Sequence, residues 1–213
     1  MAKTKSELFA LIGANLPDNT TGEITPEDLR EVTTQIADSM MYAAAGVKEV
    51  EVLRVTSTAT QEPTAVDTPL QLTFSAAQGS ASDPVMISAA GLVTFNQAGA
   101  YALRLKLQCG RTGSTGSTGS TGTSILLSRL LINGAQFGSA AAVKMTQTDA
   151  TTPTESRVVL NVTAGQTFAA QIMRDSAGSN FGGVYPHTAA VTAWGTAPSA
   201  LLVISRLEPV PSS

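Results

Sequence analysis

The sequence predicts a mainly-β chain, a sandwich or jelly roll preceded by a short N-terminal α-helical arm. Composition is the first reason. The 213 residues are 43% hydrophobic but only 14% charged, and aromatics make up 5%; a typical soluble domain carries about 25% charge. A core of Val, Leu, Ile and Ala under small polar surface residues suits pleated sheets better than helix bundles, which carry Glu and Lys on their wet faces. The second reason is that the apolar period changes from helical to two near Val47. The third is a run of about ten short strands without an intervening helix, the pattern of a sandwich or jelly roll.

Charge divides the chain at the same place. Residues 1–57 hold five Lys/Arg and nine Asp/Glu, whereas residues 58–213 hold eight and seven. The local net charges are therefore −4 and +1, within a total of −3. Three segments follow: a helical arm over 1–46, an extended strap or linker over 47–68, and the β domain over 69–213.

In the arm, Thr4 and Glu7 have capping-box spacing, and Leu8, Leu11 and Ile12 fall on one face of a short helix. Asn15–Gly22 is dense in turn residues. Thr25 then reads as an N-cap, Pro26 as the first helical position, and Glu27 and Asp28 as acids complementing the helix dipole. Leu29, Val32, Ile36, Met40 and Ala43 follow at steps of 3, 4, 4 and 3. They form one apolar stripe, ended by Gly46 and too short for a coiled coil. The stripe packs either on the first helix or on a partner, since two short helices do not close a core by themselves.

Val50, Val52, Leu53 and Val55 read as extended, and Thr56–Thr68 as a Thr- and Pro-containing strap. Strands are expected near Pro69–Phe74, Val85–Ser88, Gly91–Phe95, Ala100–Gln108, Ser124–Ile132, Ala141–Gln147, Arg157–Val162, Thr167–Arg174, Ala189–Trp194 and Ala200–Leu207. In Gly99–Gln108, Tyr101, Leu103, Leu105 and Leu107 point one way and Ala102, Arg104, Lys106 and Gln108 the other, as in a half-buried strand. Asn133-Gly134 between an apolar run and Ala135-Gln136-Phe137 signals a hairpin. Gly113–Gly122 repeats Gly-Ser-Thr three times before its closing glycine. It reads as a flexible loop, either a slipped insertion without a role or a variable tip that touches a ligand.

Few residues offer chemistry. No phosphate-binding Gly-rich motif opens a helix, and no Gly-x-Ser-x-Gly elbow occurs. The one histidine, His187, follows Tyr185-Pro186 in a turn-rich stretch. Asp67, Asp83, Asp149, Glu155 and Asp175 are scattered among predicted loops and strand ends, a pattern of surface solubility rather than of paired catalytic acids or a calcium loop. One Cys, Cys109, excludes an internal disulfide and reads as an inert thiol; with a single His beside it, a Cys/His zinc site is implausible. Trp194 reads as a core or interface residue, the alternative being a carbohydrate-stacking platform. A net charge of −3 argues against a broad phosphate-binding surface, and no apolar run approaches membrane-spanning length. Leu8–Ile12 is too short for the apolar region of a signal peptide, so a soluble product retained in the cytoplasm is expected.

Two stretches carry family resemblances. Thr20–Met41, containing Gly22-Glu23-Ile24-Thr25-Pro26-Glu27-Asp28-Leu29-Arg30-Glu31-Val32, resembles the N-terminal segment of many tailed-bacteriophage structural proteins. In the β region, Gly91-Leu92-Val93-Thr94-Phe95 and Ala98-Gly99-Ala100-Tyr101-Ala102-Leu103 are similar to paired strands of the tumour-necrosis-factor/complement-globular-head jelly roll. Leu130-Leu131-Ile132-Asn133-Gly134 resembles its following hairpin, Val158–Gln166 its Gly-anchored turn, and Ala200-Leu201-Leu202-Val203-Ile204 its closing strand. The Gly-Ser-Thr insertion and the sparse aromatics depart from that pattern.

The resemblance implies a homotrimer with one sheet of each protomer toward the axis, Arg104 and Lys106 lying on the trimer-facing strand. β strands whose second face is often Ala, Thr or Ser suit such burial. The resemblance further implies a virion protein, made in the bacterial host cytoplasm, that acts as a fibre-like tail or collar appendage without enzymatic activity. Leu29, Val32, Ile36 and Met40 would form the anchoring or oligomer face of the arm. Ser114, Thr115, Ser117, Thr118, Asn180 and Phe181 would form exposed tip loops. Expected partners are further copies of the chain, other virion proteins of tail, collar or capsid, and a host-surface glycan, with no nucleic acid, membrane insertion, cofactor, metal or catalytic residue. The alternative is a head fibre or decoration protein that cements the capsid. More remote are a glycan-degrading depolymerase using acids such as Glu155 and Asp175, and a secreted cytokine-like ligand, which the missing signal disfavours.

Overall fold

Alternating side chains decide how each long strand faces. The computed structural model describes residues 47–111, 123–146, 151–177 and 182–209. In the strand β5 (Gly99–Gly110), Tyr101, Leu103, Leu105, Leu107 and Cys109 are buried, while Arg104 is exposed and Lys106 and Gln108 are half-buried. This is the expected period of two, extended by one residue before the predicted start and two beyond the predicted end.

The other elements are β1 (Val47–Ser57), β2 (Leu70–Gln71), β3 (Val85–Ile87), β4 (Val93–Phe95), β6 (Ser124–Ile132), β7 (Ala135–Met145), β8 (Thr151–Val162), β9 (Thr167–Arg174), β10 (Gly183–Val184), β11 (His187–Thr188), β12 (Thr196–Ala197) and β13 (Ala200–Pro209). One sheet runs β1-β13-β5, with β8 along one whole edge of β5 and the short β10 sharing the other edge with β13. The second runs β3-β4-β9-β6-β7, with β2 also on β9, and β11 and β12 form a separate ribbon. The chain crosses repeatedly between sheets, from β4 to β5, β5 to β6, β7 to β8, and β8 to β9. That crossing pattern makes a jelly-roll sandwich.

The core lies between the inner faces. Leu53 and Val55 of β1, Leu160 and Val162 of β8, and Leu202 and Ile204 of β13 join the β5 residues from the first sheet. Val93, Phe95, Leu126, Phe168 and Ile172 meet them from the second. The Phe95 and Tyr101 rings pack with centroids 5.0 Å apart and planes tilted by 54°, an arrangement that aromatic quadrupoles favour. The buried Tyr101 hydroxyl donates to the Gln97 carbonyl at 3.0 Å, so its burial leaves no polar group unmet. Asn133 and Gly134 link β6 to β7 with φ of 50° and 78°, both positive as a type I′ hairpin turn requires.

Several expectations are corrected. Residues 47–57, the first part of the segment read as extended, form the strand β1, with Leu53, Val55 and Ser57 buried. The strand expected over Arg157–Val162 begins at Thr151, and the one expected over Ala141–Gln147 runs from Ala135 to Met145. No strand forms over Ala189–Trp194. Thr192–Trp194 is a 3₁₀ turn closed by Gly195 at φ 66°, and Trp194 is 84% exposed rather than part of a core. Residues Val50–Arg206 fall in one compact unit, and the outer ends of β1 and β13 fall in a second. The helical arm with Leu29, Val32, Ile36 and Met40, and the tip positions Ser114, Thr115, Ser117, Thr118, Asn180 and Phe181, lie outside the described residues.

Candidate functional site

Among the described residues β7 ends one sheet opposite β3 and β8 ends the other opposite β1, and β7 and β8 follow one another in the chain. They close the same side of the sandwich, since Leu130, Phe137 and Ala141 face Ser156 and Val158 across a cleft of about 200 Å³. On this flank the core thins to small and half-buried side chains. β7 is exposed from Ala135 to Ala142, and Ala135–Val143 contains no charge. Phe137 is 42% and Val159 57% exposed. A long uncharged edge strand is a template for pairing with another chain unless something covers it.

The outward face of the first sheet joins this flank. Register sets Lys106 opposite Glu155 and Arg104 opposite Arg157. Arg104 reaches diagonally to Glu155, with Nε to Oε1 at 2.7 Å and Nη2 to Oε2 at 3.1 Å, and Lys106 Nζ adds a contact at 3.3 Å. The Arg104 hydrogen bond holds the Glu155 carboxyl below its ordinary value. Arg54 on β1 forms a similar fork to Glu51, at 2.9 and 2.7 Å. Exposed pairs of this kind add little stability. They do fix guanidinium positions, so the face presents ordered charge around the apolar Val159. The structure thus places Arg104 and Lys106 together on the outward face of β5, tied to β8.

The acids with catalytic potential are locally engaged. Asp83 accepts from the Ser80 amide at 2.7 Å, Asp175 from Ala177 at 2.8 Å, and Asp67 from Ser176 at 2.9 Å. Hydrogen bonds from Ser176, its side chain first and its backbone amide second, lower the Asp67 pKa. Asp149 lies outside the described residues, and His187 is exposed in the β11–β12 ribbon. Burial raises the Cys109 thiol pKa, which disfavours the reactive thiolate. Among the described residues no group of three or more His, Cys, Asp or Glu is placed to hold a metal, and no helix is long and apolar enough to cross a membrane.

A buried polar group at one end of the sandwich escaped sequence reading. Arg111 and Arg174 are 2% and 5% exposed, and Arg111 Nη1 donates to the Thr146 carbonyl at 3.2 Å. The signal was parity: Arg174 continues the inward series Phe168, Ala170, Ile172. Burial pushes the Glu62 carboxyl up, opposed by the nearby Arg174 charge and a hydrogen bond with Tyr185. A raised carboxyl pKa means that the folded state holds the proton more tightly than the unfolded chain. Stability from Glu62 is therefore full below the ordinary value of 4.5 and falls as pH rises through the folded value. Glu155 has the opposite sign, contributing above its ordinary value and losing that contribution as pH falls through the folded one. Urea midpoints of Glu62→Gln and the parent should thus converge near about pH 4, with the variant gaining relative to the parent toward about pH 7. A loss that grows toward about pH 7, where Glu62 carries its charge, would show that Arg174 depends on that charge.

No family model matches the chain, and no curated protein does. Among solved structures it is similar to murine APRIL at pH 8.0, with 13% identity over 75% of this chain and 99% of that one and a TM-score of 0.41. Murine APRIL at pH 5.0 gives a TM-score of 0.38 at the same identity and coverage. The globular domain of zebrafish complement 1qA protein is similar at 11% identity over 74% of this chain and 95% of that one, with a TM-score of 0.37.

Proposed function

We propose that this chain is a non-enzymatic structural protein of a tailed-phage virion, a trimeric fibre-like appendage of the tail or collar. In this reading the arm with Leu29, Val32, Ile36 and Met40 anchors it to the particle, and the jelly roll is presented outward for attachment to the host surface. The observation that carries the self-association is the β7–β8 flank, which no other strand among the described residues covers, with its uncharged Ala-rich edge and exposed Phe137 and Val159. A second copy seated there removes both the unpaired edge and the apolar patch from water. The virion assignment is supported by the Gly22–Val32 motif in the arm.

Light scattering on the full chain should give about three times 21.8 kDa, and a monodisperse monomer sinks the trimer. Gold labelling of the chain on intact particles should mark tails or collars. Label on capsid faces would favour the head-decoration alternative, and unlabelled particles would remove the virion assignment.

A further inference from the structure

A groove on the outward face of the second sheet is built around one arginine. The β6–β7 ladder pairs Ser128 with Ala141 but Leu130 with Phe137, so Arg129 alone spans Gly138, Ser139 and Ala140. This bulge, with Gly138 at φ 68°, leaves no β7 residue directly opposite Arg129. Bulges commonly re-aim or uncover a side chain in this way. Gln136 braces it, its Nε2 donating to the Gly138 carbonyl at 3.1 Å. The space created has a volume of about 240 Å³, walled by Pro69, Leu127, Ala140 and Met173.

On its other side Arg129 is fixed by its register partner Gln171 on β9. Arg129 Nε and Nη2 both donate to Gln171 Oε1, at 2.9 and 2.7 Å. A neutral amide orients the guanidinium without cancelling its charge. Among the described residues Arg129 has no ion pair, and Nη1 with the second Nη2 hydrogen has no acceptor. This half-buried cation is partly shielded from water by Leu127 and Met173, which strengthens its attraction for an anion.

We infer that this groove binds the carboxylate of an acidic sugar residue, an inference that rests on the host-attachment reading. Among the described residues Arg129 is the one charged residue lining the groove, which matches a monoanion better than a phosphate dianion. A guanidinium fork with two free donors fits a carboxylate in a bidentate pair. The Gln171 side chain that holds Arg129 also lines the groove, its amide available to ring hydroxyls, and the Leu127, Met173 and Pro69 wall suits a C–H face. The volume admits one ring rather than an extended chain.

The test uses the full chain with labelled methionine methyls and four probes: methyl glucuronide, methyl sialoside, the neutral methyl glucoside, and a blocked glutamate peptide. At least one acidic sugar should shift the Met173 methyl saturably and bind about tenfold or more tightly than methyl glucoside. Arg129→Gln should weaken that binding about ten- to hundredfold, the worth of a charged hydrogen-bonded pair. Gln171→Glu should weaken it similarly by supplying an internal counter-ion, while leaving the melting temperature equal or higher. No shift with either acidic sugar, equal binding of the neutral one, or insensitivity to Arg129→Gln overturns the inference. So does equal or tighter binding of the glutamate peptide, which would mark a peptide groove. Particle labelling is read separately, so loss of the virion reading and loss of the groove are distinguishable.

Discussion

In the proposed trimer, Val159→Lys is expected to lower the particle mass from about three times 21.8 kDa to 21.8 kDa. Val159 is 57% exposed on β8, opposite Ala102 of β5, which is 5% exposed. In an isolated chain a substitution at such an edge position changes stability by about 0.5 kcal/mol, plus up to ~1 kcal/mol of lost β propensity. In the proposed three-fold assembly the same lysine would be buried beside Arg157 and Arg104. The nearby carboxylate, Glu155, is already shared by Arg104 and Lys106. An uncompensated buried charge costs about 3–5 kcal/mol, and symmetry repeats that cost at every equivalent contact. The melting of the isolated domain should therefore change little while the mass falls. A variant that keeps the parent's mass would show that the contact lies away from Val159.

The strands that alternate were legible, and those that do not were misplaced for a physical reason. β5 and β9 bury one face, so Tyr101–Leu107 and Phe168–Ile172 show a period of two that can be read directly. β7 is wet on both faces from Ala135 to Ala142, and β8 buries one face fully only from Leu160, so their first halves, Ala-Gln-Phe-Gly-Ser-Ala and Thr-Thr-Pro-Thr-Glu-Ser, show no such contrast. Pro153 within β8 argues against a central strand, and the sheet order places β8 at an edge. Ala189–Trp194 failed differently, because Gly195 and the flanking Pro186 and Pro198 supply local turn chemistry that outweighed a short apolar run. The Arg129 groove was hidden from sequence because its cause is a register shift, which no single strand displays. The self-association flank was half legible. Small residues on β7 and the Arg104–Lys106 alternation were visible, but the edge positions that give them meaning come only from topology.

Gly91→Ala is expected to destabilise the domain by about 3–5 kcal/mol, with Gly134→Ala as the control that isolates the cause. Both glycines have φ of 78°, so each alanine carries the same left-handed penalty of roughly 1–2 kcal/mol. Their surroundings differ. At Gly134 an added Cβ meets nothing within 4 Å, whereas at Gly91 it would sit 1.9 Å from the Leu72 carbonyl oxygen and 3.2 Å from Thr73 Cα. Those are backbone atoms and have no rotamer by which to give way. Their segment is also pinned. The Leu72 amide donates to the Ala170 carbonyl at 2.9 Å, and Gln61 brackets Thr73 through its amide, at 2.7 and 3.0 Å. Leu72 itself is fully buried. Making room must break one of these bonds or pull Leu72 from the core, at about 1–3 kcal/mol for each buried group left unmet. At about 2–4 °C per kcal/mol for a chain of this size, Gly91→Ala should melt roughly 10–15 °C lower and Gly134→Ala only a few degrees lower. Equal shifts in calorimetry would mean that the turn at Ser88–Gly91 moves freely, and that the close approach to Leu72 does not hold β4 against the rest of its sheet.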